Sequence, residues 1–175
     1  MESTRQGSDR QTPAEFPGPR LTFEQVWHAL ARSSFAVLGY VTPAGDPRSS
    51  GVVYKAVDHR LYVAVAPDSW KARHLAASGR VAVTVPVRRG GILSLLFPIP
   101  PATVTFHGSA RVMRADPVEA GPVLDQLAPL LPPDRRSSSV LVEILPEGDA
   151  VTYGLGVALL KMRIPAAARG RVPMS

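Results

Sequence analysis

The chain has 175 residues, 45% of them hydrophobic and 19% charged, with 20 lysines and arginines against 14 acidic residues and no cysteine. One domain of this size buries roughly 70% of the surface its unfolded chain exposes, so a core forms without covalent staples. The lack of cysteine excludes disulfides, thiolate nucleophiles, zinc ribbons and iron-sulfur clusters, and leaves any redox chemistry to a bound cofactor.

Residues 1–20 are polar and carry three prolines, so they read as a disordered arm. They lack the apolar stretch of a leader, and no run of about 18 apolar residues follows, so a cytoplasmic protein with no membrane contact is expected. The ordered domain is expected over 21–156, with a C-terminal tail over 157–175 that packs at a dimer interface. Thr22 with Gln25 forms a capping box, and Phe23, Val26, Trp27 and Leu30 share one face, which predicts a short helix to about Arg32. Short runs rich in valine and aromatics then predict strands at 35–42, 50–57, 60–66, 80–87, 102–113, 140–145 and 150–155. The turn signals between them are TPAGDP, Asp58 with His59, and PEGD. Helices are predicted over 68–78, opening on a capping-type Asp68, and over 117–131, where Ala120, Val123, Leu127 and Leu130 share a face. Seven short strands with few helices point to a mainly β, antiparallel barrel.

Several function classes lack their residues. There is no phosphate-binding G-x-x-x-x-G-K-[ST] loop and no G-x-S-x-G elbow, and the G-x-G at Gly154 and Gly156 lacks the third glycine of a dinucleotide fingerprint. His28, His59, His74 and His107 show no metal-ligand spacing, so no metal site is expected. A single axial histidine leaves no spacing signature, which keeps haem among the alternatives. The stretch Val87 to Pro101 has two glycines, three prolines among its apolar residues and no regular period; it reads as a loop over the barrel end, a ligand-pocket wall or a dimer contact.

The net charge of +6 is concentrated in one region: Arg48 to Arg89 holds eight basic and two acidic residues, and the remainder twelve of each. Within it, Ser69, Lys71 and Arg73 stand where a strand feeds a helix, and there free amides and the positive helix end favour an anion. A hydroxyl, an ammonium and a guanidinium together suit a phosphate. The same residues also fit a solvated helix face opposite Trp70, His74 and Leu75. Few aromatics accompany the charge, so nucleic acid is not the expected partner.

The order of elements resembles the flavin-binding split-barrel family, which includes pyridoxamine 5′-phosphate oxidase-like proteins and flavin/deazaflavin oxidoreductases. The matching features are the G-D-P-R-S turn at Gly45 to Ser49, the strands SGVVYKA and LYVAVA, the S-x-K-x-R-x-L of Ser69 to Leu75, the strand RVAVTV, and ATVTFHGSARVM with its central glycine. The resemblance covers about Leu21 to Gly156. It implies a six-stranded, Greek-key-like split barrel of the FMN-binding type, usually a homodimer with two interfacial cofactor sites. Ser49, Ser50, Val52, Val53 and Tyr54 would line the ring and ribityl chain, largely through backbone groups. Ala66 would lie at the ring edge, and Ser69, Lys71 and Arg73 would hold the phosphate. The tail has no tryptophan and Ser50 stands where true pyridoxamine phosphate oxidases carry arginine, so the resemblance does not extend to vitamin B6 oxidation. K-A-R-H-L is similar to the K-x-R-N-L of proteins that bind the deazaflavin coenzyme F-420, and Arg88, Arg89, Lys161, Arg163, Arg169 and Arg171 would suit its anionic tail or a solvated surface.

The implied activity is an oxidoreductase that uses FMN, or else coenzyme F-420, to pass a hydride to or from a small organic substrate. A non-catalytic flavin or haem carrier on the same barrel is the alternative. No catalytic acid or base is assigned; Tyr54 and His74 are the proton donors to test.

Overall fold

The computed structural model describes residues 18–89, 99–113, 121–131 and 139–174. Helix α1 (Phe23–Ala31) begins on the expected capping box: Thr22 Oγ1 accepts the Gln25 N–H at 3.3 Å, and Gln25 Oε1 accepts the Thr22 N–H at 2.9 Å. Its apolar face buries Val26, Trp27, Ala29 and Leu30. Strands β1 (Phe35–Val41), β2 (Pro47–Val57) and β3 (Arg60–Val65) follow, then α2 (Trp70–Ser78), β4 (Arg80–Val87) and β5 (Ala102–Met113). A short helix over Gly121–Leu127 runs into a 3-10 turn, before β6 (Val140–Tyr153) and β7 (Arg169–Pro173).

The strand order is β3-β2-β1-β4-β5-β6-β7, and a further β3–β6 pairing closes the first six strands into an antiparallel barrel. This is the mainly β split barrel that the resemblance implied. Alternation supplies the core. Leu38, Tyr54, Leu61, Val83, Val104 and Ile144 point inward, while Leu30 of α1 and Leu75 of α2 plug the same cluster. A second cluster sits outside the wall, where Leu127, Leu131 and Leu141 pack with Val53, Tyr62 and Ala64.

Asp58 and His59 form the β2–β3 turn with φ of 45° and 59°. Two residues with positive φ give the backbone twist that a two-residue hairpin needs, and Asp and His tolerate this region better than most. The His59 ring offsets part of the strain by packing edge-on against Phe23 at 4.8 Å and tilted against Trp27 at 5.1 Å.

Ser69 rather than Asp68 caps α2, and β2 begins at Pro47 rather than at residue 50; two larger features also differ from the sequence expectation. The segment Pro146 to Asp149 is not a hairpin turn, because β6 runs unbroken through it. Its first half pairs with β3 and the far half of β5; after a register shift, its second half pairs with the start of β5 and with β7. Gly148, at φ 64°, makes this kink. Turns and bulges draw on the same residues, so PEGD carried a signal that fits either. The seventh strand is instead β7, whose register runs from Asp149↔Pro173 to Tyr153↔Arg169. Ala168, Val172 and Met174 are buried against the chain's own barrel. With two inward positions, RGRVP is too brief for alternation to reveal.

Residues 1–17 of the expected arm, 90–98 of the apolar stretch and 117–120 of the last expected helix lie outside the described residues. No described helix is long and apolar enough to cross a membrane.

Candidate functional site

Strand alternation divides the residues expected along β2. Ser49, Gly51 and Val53 occupy the outer side; Ser50, Val52 and Tyr54 occupy the inner side. Ser49 is exposed, and Val53 is half-buried in the outer cluster. Val52 and Tyr54 belong to the barrel core. The Tyr54 hydroxyl donates to the Leu30 carbonyl at 2.6 Å, and burial pushes its pKa above the usual phenol value. At Tyr54 the chain therefore offers backbone groups, not a proton donor, to a ligand outside the barrel.

The outer surface beside Ser49 is built from small residues. Gly51 pairs with Val37, Gly39 pairs with both Ser49 and Ala82, and Thr84 lies across from Val37. Phe35, 46% exposed, lies over Gly51, where an added Cβ would come within 3.0 Å of its ring. The result is a shallow apolar bed in which a flat group can approach the backbone.

Helix α2 supplies the charged end. The Ala66 carbonyl accepts the Ser69 N–H at 3.0 Å, and Ser69 Oγ caps the helix by accepting the Ala72 N–H at 3.2 Å. The capping role occupies one lone pair of Ser69 Oγ and leaves its proton available. Arg73 donates to the Asp68 carbonyl at 2.8 Å and lies 4.6 Å from the Trp70 ring centroid, an arrangement that fixes the guanidinium beside the helix start. Lys71, half-buried, has no hydrogen-bond or ion-pair partner among the described residues.

Tyr40 connects the inner side of β2 to α2. Its hydroxyl is 3.1 Å from Ser50 Oγ, and its ring lies 5.8 Å from His74, which in turn lies 5.8 Å from Trp70. A continuous chain of contacts thus links Ser50 on β2 to Arg73 on α2. His74 Nδ1 is buried in this chain without a hydrogen-bond partner among the described residues. Leaving such an atom unpaired costs about 1–3 kcal/mol, so a bound group that pairs with it gains affinity. Tyr40 was not singled out from sequence, and Trp70 was placed on the apolar side of α2 with His74 and Leu75, whereas the structure exposes it. Tyr40 sits in an ordinary strand pattern, whereas Trp70 is 68% exposed at the first helical position and becomes notable only once that exposure is known.

The structure thus links Ser50 through Tyr40, His74 and Trp70 to Arg73 on α2, the helix that also carries Lys71 and its cap Ser69, and buries the Val52 and Tyr54 side chains in the core. Among the described residues, no three His, Asp or Glu side chains cluster as metal ligands. His28 and His59 line a separate groove with Trp27, Glu24 and Asp58. What the arrangement provides is a helix start that carries Ser69, Lys71 and Arg73, and an apolar bed on the outer face of β1 and β2.

The fold has close relatives among solved structures. A heme-binding protein from Mycobacterium smegmatis matches with a TM-score of 0.66 at 18% identity, over 89% of this chain and 59% of that one. The chain therefore spans less than two thirds of that protein. A FAD-binding protein from Mesorhizobium loti matches with a TM-score of 0.59 at 18% identity, covering 73% of this chain and 91% of that one. An F-420 reductase matches with a TM-score of 0.51 at 22% identity, covering 68% and 90%. At these identities the likeness is one of fold. No curated protein matches the sequence. The sequence profile described as pyridoxamine 5′-phosphate oxidase matches residues 23–140, which takes in the barrel's first five strands and the whole helix-start site. By this match, the chain belongs to the pyridoxamine 5′-phosphate oxidase family.

Proposed function

We propose that the protein binds FMN, or else the deazaflavin coenzyme F-420, and transfers a hydride to or from a small organic substrate. The observation that carries this reading is the joining of the α2 start, with Lys71 and Arg73, to the Ser50 end of β2 through Tyr40 and His74. The bound ring would supply the hydride chemistry. The chain's part is to bind and orient. The amides at the start of α2, Ser69 Oγ, Lys71 and the free N–H groups of Arg73 hold the phosphate. Backbone groups of Ser49 to Val53 border the ring over the apolar bed, and the unpaired His74 Nδ1 takes up a hydrogen bond from the ligand. The exposed apolar side chains of Phe35, Val37 and Val41 on the outer face of β1 suit a second copy covering this site, as a homodimer.

A non-catalytic flavin or haem carrier is the second reading, favoured by the likeness in fold to a heme-binding protein. An absorption spectrum of the purified protein, with the mass of the extracted cofactor, separates FMN, F-420 and haem. A flavin or deazaflavin spectrum that cycles with reductant and acceptor supports the first reading; a haem band, or a flavin that never turns over, supports the second. Lys71→Ala is expected to weaken cofactor affinity about tenfold or more, because it removes a charged phosphate contact. Undiminished cofactor retention in that variant overturns the phosphate assignment.

A further inference from the structure

Away from the α2 start, the outer face of β5, β6 and β7 carries a 380 Å³ cavity bounded by Thr103, Thr105, Val151, Tyr153, Arg169 and Arg171. Register explains how these residues meet. Thr103 pairs with Tyr153 and Tyr153 with Arg169, while Thr105 pairs with Val151 and Val151 with Arg171, so two cross-strand rows run side by side on one face. Arg169 and Arg171 are two positions apart on β7, so both point outward with Cα atoms roughly 7 Å apart.

Two like charges at that spacing repel, and the structure provides little to compensate them. Asp149 is the one carboxylate paired with them among the described residues. It lies 3.6 Å from Arg171 with both side chains largely in solvent, beyond ordinary hydrogen-bond distance. Arg169 has no partner among the described residues. Across the cavity, Thr103 and Thr105 add hydroxyl donors, and the Thr105 hydroxyl lies 3.3 Å from that of Thr84. The Tyr153 hydroxyl donates to the Met162 carbonyl at 2.8 Å, which holds its ring as a fixed apolar wall beside Val151.

We propose that this face is a second oxyanion site, built from different strands than the α2 start, which takes the phosphate or carboxylate head of a small molecule. The two guanidinium forks grip the head group, the threonine hydroxyls complete its hydrogen bonds, and an attached apolar portion lies against Tyr153 and Val151. The site shares no residue with the phosphate site proposed at the α2 start, although Arg169 and Arg171 are among the basic residues that the sequence offers for a coenzyme F-420 tail.

The test is isothermal titration of the full chain with inorganic phosphate and with glutarate, against chloride at matched ionic strength. Saturable binding of either anion is expected; phosphate alone identifies a phosphoryl ligand, glutarate alone a carboxylate. The double variant Arg169→Gln/Arg171→Gln should weaken that binding at least about tenfold, whereas Arg111→Gln, at an exposed arginine near the other end of β5, leaves it unchanged. Arg171→Lys keeps the strand and the charge but not the fork, so it is read if the double variant fails to fold, and a loss of several-fold is expected. No saturable binding above chloride, undiminished affinity in the Arg169 and Arg171 variants, or loss of binding in Arg111→Gln overturns the proposal.

Discussion

Replacing Tyr54 with phenylalanine isolates what one buried hydroxyl does. The side chain is fully buried, and its hydroxyl donates to the Leu30 carbonyl at 2.6 Å. That carbonyl also accepts the Ser33 N–H at 3.1 Å, so the substitution removes a bond without orphaning the acceptor. The loss at neutral pH should therefore be about 1 kcal/mol, within the usual net value of a buried hydrogen bond. Burial raises the phenol pKa above its ordinary 10.0 in the folded state. The neutral form is thus favoured by folding, and this contribution is complete below pH 10 and lost as pH rises past it. One pH unit above the unfolded value the wild type has lost about 1.4 kcal/mol that the phenylalanine variant cannot lose. Urea unfolding followed by circular dichroism should show the wild type more stable at pH 7 and the two proteins equal near pH 11. A gap that stays constant with pH would refute the assignment of Tyr54 to the core. Cofactor retention should be the same in both proteins, because the side chain faces the barrel interior; a variant that folds but loses cofactor would show that the hydroxyl reaches the ligand.

Three further outcomes follow from geometry. Gly108→Ala places a Cβ 2.2 Å from the Leu145 carbonyl oxygen on the adjoining strand, so β5 and β6 must part. Thermal or urea unfolding should show a loss of about 3 kcal/mol or more, and a mild effect would contradict the close approach. Ser69→Ala removes the α2 cap and should cost about 1 kcal/mol of stability, together with weaker cofactor binding at the same helix start. Wild-type binding in this variant would confine Ser69 to capping. Light scattering after size exclusion should give a dimer; a monomer that holds cofactor stoichiometrically would rule out an interfacial site.

The barrel's strands and the α1 capping box were legible in the sequence because each rests on local rules: alternation with period two, helical spacing, and turn residues at Thr42 to Pro47 and at Asp58 and His59. The helix start with Ser69, Lys71 and Arg73 was legible for the same reason, since capping and charge are read within a few residues. Other features depended on partners distant in the chain. PEGD became a bulge because β6 has neighbours on both sides through its whole length, and a turn would have broken those ladders. β7 formed because β6 left an edge beyond the barrel for it to pair with. Tertiary packing likewise decided which face each β2 residue took. The family resemblance implied Ser49 to Tyr54 as one lining; strand alternation in the closed barrel turned Val52 and Tyr54 into the core and left Ser50 in contact with Tyr40. Local chemistry thus determined the elements and the charge at the helix start. Which side chains meet there, and the pair of arginines facing two threonines on the far sheet, depended on strand register, which no local segment encodes.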